Sequence, residues 1–176
     1  MANSINAMIA AYRAGELDPQ GESHVKCAVV GGLEEHLEEP KALAFLLDLI
    51  GDPDEYDLAR VDALKILQVY EPGSERVRRR VGRRLAKVLL AETDVLVQQW
   101  VAIAAGNFMS VPQVYAAVSV LLADGKSESG VRHNCLAALL RLGPSPRTRG
   151  PLEVLVADPQ LGAQVRRILE EWGPSS

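Results

Sequence analysis

VQQWVAIAAGNF (97–108) and VRHNCLAALLRL (131–142) are two renderings of one pattern, starting 34 residues apart. In each, apolar or small side chains fall at positions 1, 5, 8, 9 and 12, as Val97, Val101, Ala104, Ala105 and Phe108 illustrate. That spacing follows the 3.6-residue period of a helix buried along one stripe, and no strand alternates this way. The same unit starts at Val25 (VKCAVVGGL), Ala59 (ARVDALKIL) and Val165 (VRRILEEW), so successive starts lie 34, 38, 34 and 34 residues apart. In four of these five units the opening small residue is followed by Lys or Arg: Lys26, Arg60, Arg132 and Arg166. Seven residues before a unit stands Asp18, Asp52, Asp124 or Asp158, followed by proline in all but Asp124. The turn repeats along with the helix.

Between these second helices lie first helices of the same period: Ile5, Met8, Ile9 and Tyr12; Leu43, Leu46, Leu47 and Ile50; Val77, Val81, Leu85, Val88 and Leu89; Val114, Val118, Leu121 and Leu122. Ser4, Ser74 and Ser110 are placed as N-caps, and Pro112 fits a first helical turn. Turns at Pro72, Gly143 and Gly173 end helices. Gly150-Pro151 is expected to shorten or kink the last first-helix, because proline lacks a backbone donor. We therefore expect an all-α chain: a right-handed α-α superhelix of about five helix pairs in one domain, residues 1–176. Its units are approximately 3–38, 40–72, 74–108, 110–143 and 145–173.

Val97, Val101, Ala102, Ala104, Ala105, Gly106 and Phe108 match the pattern VxxxAAxALGxL, which resembles the second helix of HEAT repeats. VRHNCLAALLRL resembles the same element. The resemblance implies an armadillo-type α-solenoid whose second helices line a concave side. Their exposed ridge, positions 4, 7 and 11 of each unit, would carry Asp62, Lys65, Trp100, Ile103, Asn107, Asn134, Arg141 and Glu171.

With 176 residues, 48% of them hydrophobic and 5% aromatic, the chain can bury an aliphatic core, which excludes disorder along its whole length. No apolar run approaches the roughly 18 residues that span a bilayer, and the opening MANSINAMIAAYR has neither a basic start nor a cleavage site. A cytoplasmic protein without a membrane partner is expected. Cys27 and Cys135 lie in helical contexts without metal-site spacing, so both are expected reduced and mostly buried.

The net charge of −4 is uneven: residues 1–60 hold 4 basic and 12 acidic side chains (−8), residues 61–176 hold 15 and 11 (+4). A general affinity for nucleic acid does not follow from such a balance. There is no GxGxxG, GxxxxGK[ST], GxSxG or HExxH, and His24, His36 and His133 fall in different repeats. We expect no catalytic residues, no metal and no cofactor. His36 replaces an apolar position and is expected to pack on the core at a helix end; His133 points outward.

The segment SERVRRRVGRRLAK (74–87) places Arg76, Arg80, Arg83, Arg84 and Lys87 in a sector of about 100° beside the apolar stripe. It reads either as a solvated face neutralised by a neighbouring repeat or as a binding flank. Like charges one turn apart repel, which favours an external counter-charge. Glu34, Glu35, Glu38 and Glu39 are expected at a helix C-terminus, where the macrodipole disfavours them. They read as a solvated face or as a match for the Arg flank of a second copy, leaving monomer and homodimer open. Trp100 is a core residue or an exposed anchor of the kind that dominates binding surfaces; Trp172 is expected to cap the end of the core.

The expected function is a non-catalytic scaffold or adaptor binding another protein through the second-helix ridge and the basic flank. Its binding residues would be Arg76, Arg80, Arg83, Arg84, Lys87, Asp62, Trp100, Asn107, Asn134 and Arg141. The alternative is a nucleic-acid-binding protein related to the HEAT-like alkylpurine DNA glycosylases, with Trp100, Asp62 and Arg132 standing for their aromatic, acidic and basic residues. A tetrapyrrole-related lyase or chaperone finds no support in these residues.

Overall fold

The computed structural model describes residues 4–17 and 22–173. These form ten α-helices and three short 3-10 turns, with no strand among the described residues. In chain order the α-helices are α1 (Ile5–Ala14), α2 (His24–Gly32), α3 (Pro40–Leu49), α4 (Asp57–Val69), α5 (Glu75–Ala91), α6 (Val95–Ala105), α7 (Pro112–Ala123), α8 (Ser129–Leu140), α9 (Pro146–Val154) and α10 (Gly162–Trp172). The even-numbered helices contain the repeated units. None of the helices is long and apolar enough to cross a membrane.

Local chemistry sets the boundaries. Ser4 and Ser74 accept from the amides of Ala7 and Val77 at 3.3 Å, satisfying first-turn donors that the helix leaves free. Ser145 and Asp94 do the same for α9 and α6. Ser110 does not cap α7. Pro112 already occupies the first helical position, so the N-cap falls on Val111, whose side chain has no acceptor.

The recurring aspartate builds the turn before three of the five units. Asp52 Oδ1 accepts from Asp54 N, Asp124 Oδ1 from Lys126 N, and Asp158 Oδ1 from Gln160 N and Leu161 N. Each side chain bonds backbone two or three residues on, the conformation this residue type favours in turns. Asp18, the first of the series, lies outside the described residues.

Apolar faces meet across helices. Helix α2 packs on α4, α4 on α6 and α6 on α8, while α5 packs on α7. Within consecutive pairs, α1 meets α2, α5 meets α6 and α7 meets α8. Residues from Ile5 to Val165 join one buried cluster that includes Leu46, Leu64, Leu85, Val101, Val118 and Leu136. Each such side chain contributes about 1.5–3 kcal/mol when withdrawn from water. Small residues set the approach distances: a Cβ on Gly82 of α5 would lie 2.8 Å from Val111 Cγ2, so only glycine admits that contact.

The basic residue at position 2 of the repeated units is a strut. Arg60 Nη2 donates to Ile50 O at 3.3 Å and Arg132 Nη2 to Leu122 O at 3.0 Å. Arg166 Nη1 donates to Val156 O at 2.9 Å, and Gln98 Nε2 to Leu89 O at 3.1 Å. The acceptors are carbonyls at the end of the preceding first helix or just past it, Val156 lying in the 3-10 turn after α9, where such groups lack an α-helical partner. In three units, that of Lys26 included, position 2 reaches forward to a carboxylate of the next unit. Lys26 pairs with Glu55 at 2.9 Å, Arg60 with Glu92, and Arg132 with Asp158 at 2.5 Å.

Candidate functional site

Helix α5 carries the basic flank, positioned by Val81, Leu85, Val88 and Leu89, which are buried along its other side. Arg76, Arg80, Arg83 and Lys87 are exposed and make no hydrogen bond or ion pair among the described residues. Arg84 differs from the expected uniform stripe. Its Nε donates to Leu47 O at 2.7 Å and its Nη2 to Asp48 O at 3.3 Å, so it caps the last turn of α3. Arg78 and Arg79 lie off the flank: Arg78 Nη1 donates to Asn107 O at 3.0 Å, and Arg79 Nε pairs with Glu75 at 2.9 Å.

The proposed ridge is partly consumed by internal contacts. Asn107 Nδ2 donates to Tyr70 O at 2.8 Å, and Asn134 Nδ2 to Gln99 O at 3.4 Å. Both side chains hold neighbouring units together. Trp100 is half-buried and packs against the core, so neither pure alternative holds. Lys65 Nζ stands 5.3 Å from its ring centroid and 2.9 Å from Asp62 Oδ1, gathering Asp62, Lys65 and Trp100 on α4 and α6. Arg141 is exposed, its stem close over Gly106. Trp172 is half-buried against the core.

Arg132 is 0% exposed. Leu122 O, Asp158 and Gln160 occupy its guanidinium. It is therefore withdrawn from any surface shared with Trp100 and Asp62.

The acidic run divides between two helix ends: Glu34 and Glu35 directly follow the C-cap of α2, near a C-terminus as expected, whereas Glu39 belongs to the start of α3. Helix α2 stops at Gly32, Glu34 and Glu35 begin a 3-10 turn, and Glu39 is the N-cap residue of α3. At a helix N-terminus negative charge is favoured, which removes the expected cost for Glu38 and Glu39. His36 is half-exposed rather than packed in the core, with Nδ1 3.5 Å from Glu39 Oε1. His133 is exposed, as read from the sequence, and its Nδ1 contacts Ser129 O at 2.8 Å. Among the described residues, no group of three or more His, Cys, Asp or Glu is placed to hold a metal ion.

Cys135 is buried and apolar surroundings push its thiol up to about 12. Cys27 departs from the expectation of burial: it is half-exposed, and partial burial followed by the Asp62 carboxylate raises its pKa.

Glu55 and Glu92 stand out by no pattern in the sequence, and Asp158 only as a turn residue; the Lys or Arg repeating at position 2 is the signal that could have pointed to all three. Burial raises the pKa of Glu55, but the hydrogen bonds of Lys26 (2.9 Å) and Tyr12 (2.9 Å) outweigh it and hold the carboxyl below its usual range. Comparison of the chain with family models, curated proteins and solved structures finds no match.

Proposed function

We propose that the chain is a HEAT-type α-solenoid, a right-handed superhelix of five helix pairs, acting as a non-catalytic cytoplasmic scaffold that holds an acidic segment of another protein. One observation carries this reading: Arg76, Arg80, Arg83 and Lys87 stand exposed along about three turns of α5 with no hydrogen-bond or ion-pair partner among the described residues. None of the described residues pairs with these charges, and repulsion between neighbours one turn apart favours an external counter-charge. The Asp62, Lys65 and Trp100 group offers a second contact, an aromatic ring flanked by charge.

The test pairs binding with stability. An acidic model peptide of alternating Glu and Leu, and a mixed-sequence DNA duplex, are titrated against the parent and against Arg80→Glu combined with Arg83→Glu at two salt concentrations. We expect salt-dependent peptide binding that the double variant loses, with stability changed by no more than about 1 kcal/mol because exposed charges contribute little to folding. Peptide binding that survives the reversal overturns the reading. Duplex retained by the parent at physiological salt and released by the variant gives the lead to the nucleic-acid alternative.

A further inference from the structure

We propose that the cleft between α5 and the turn joining α3 to α4 is a binding pocket for one tetrahedral oxyanion, an inorganic phosphate or a phosphomonoester. The cleft holds about 130 Å³ and is lined by Gly51, Pro53, Arg60, Arg84, Lys87 and Glu92, among others. That volume is far below the roughly 300–1,000 Å³ of sites for drug-sized ligands, and suits a single oxyanion group rather than a nucleotide.

The lining has three cations and one carboxylate. Glu92 is already engaged: Oε2 accepts from Arg60, and Oε1 accepts from Thr93 N and Asp94 N at 2.9 Å. It is thus not the counter-ion of Arg84 or Lys87. Arg84 is fixed by its two bonds to Leu47 O and Asp48 O, and its Nη1 has no partner among the described residues. Lys87, three residues on along α5, has no partner for its ammonium among the described residues. Arg60, behind the cleft, is balanced by Asp57 and Glu92 and adds no free charge, although its buried Nε has no hydrogen-bond partner among the described residues. A guanidinium held in place with Nη1 free, beside an exposed ammonium, is a donor set that recognises phosphate oxygens, the first as a fixed donor and the second as a point charge. A phosphate group carrying about −1.5 to −2 at pH 7 answers the charges of Arg84 and Lys87, which no carboxylate among the described residues pairs.

The pocket does not depend on a protein partner for the α5 flank. Its test is calorimetric titration of the full chain with inorganic phosphate and, separately, with N-acetyl-phosphoserine amide, both at constant ionic strength in chloride. Saturable one-site binding is expected. Lys87→Gln, an exposed change that spares the fold, should weaken it roughly tenfold or more, the loss of one charge-assisted hydrogen bond. Arg84→Lys should also weaken it by removing the fixed donor. Arg79→Gln, which removes one charge from the same helix outside the cleft, should leave it intact. Tighter binding of the ester assigns the pocket to a phosphorylated side chain, and tighter binding of inorganic phosphate assigns it to the free anion. No saturable binding of either ligand overturns the proposal. So does an affinity unchanged in Lys87→Gln, or a loss in Arg79→Gln as large as in Lys87→Gln.

Discussion

The hydroxyl of Tyr115 donates to the carbonyl of Arg147 at 2.8 Å, and that carbonyl is the one Pro151 leaves without a helical partner. In an α-helix the amide of residue 151 would bond the carbonyl four residues back, and proline has no amide hydrogen. Tyr115, on α7, supplies the donor from the neighbouring pair, while the Arg147 guanidinium lies over its ring at 4.1 Å. Helix α9 therefore runs on through Pro151 to Val154, short but unbroken by the proline.

Tyr115→Phe should accordingly lower stability by about 1 kcal/mol, the net value of one such bond. In a Pro151→Ala background the Arg147 carbonyl regains an amide donor from its own helix, and the same Tyr115 change should cost measurably less. Chemical denaturation of the four members of this cycle checks the coupling. Equal losses in both backgrounds would show that the tyrosine acts through packing alone.

The fold was legible where one physical rule governs one helix. Position 2 shows the limit. Lys26, Arg60, Arg132 and Arg166 recur in the sequence, yet their acceptors sit at different offsets, in Glu55, Glu92 and Asp158, because the connecting turns differ in length. A carbonyl acceptor such as Ile50 O leaves no trace in residue type at all. Among candidate site residues, the charge of the α5 flank was readable, but not that Arg84 leaves it to cap α3. Asn107 and Asn134 read from the sequence as ridge residues, but amide side chains suit an internal carbonyl as well as a partner, and only the packing decides between them.

The Arg60 strut yields a contrast between buried and exposed members of one series. Arg60 and Glu92 side chains are 2% and 5% exposed, so Arg60→Met leaves an uncompensated buried carboxylate and should cost about 3–5 kcal/mol. Adding Glu92→Leu should recover part of that loss, because the stranded charge is gone. Arg166→Met, at the equivalent but exposed position, removes a single bond to Val156 O and should cost about 1 kcal/mol or less. Urea unfolding midpoints of the four proteins check this. Equal losses at 60 and 166 would mean that place in the repeat, not burial, sets the effect.

Thiol reactivity separates the two cysteines. The thiolate is the reactive form, and burial holds Cys135 protonated with a pKa of about 12, whereas Cys27 is raised but half-exposed. In the native protein an aromatic disulfide reagent should modify Cys27 slowly and Cys135 only at the rate of unfolding. Stoichiometric labelling of one thiol before denaturant and two after it is the expected record. Both reacting together in the native state would contradict the packing of α8.

The Asp158 carboxylate makes low-pH stability depend on one strut. The Arg132 hydrogen bond, with the amides of Leu161 and Gln160, outweighs partial burial and holds its carboxyl at about 2, below the ordinary 3.8. The folded state thus binds this proton less readily than the unfolded chain does, so the contribution to stability is complete above about pH 4 and disappears as pH falls toward 2. Asp158→Asn keeps an acceptor for the turn but removes the charge facing Arg132. The parent should therefore be more stable than this variant at pH 6, and the gap should narrow between pH 4 and 2, as measured by thermal unfolding across that range. A gap that stays constant with pH would assign the role of Asp158 to its turn geometry and not to the ion pair with Arg132.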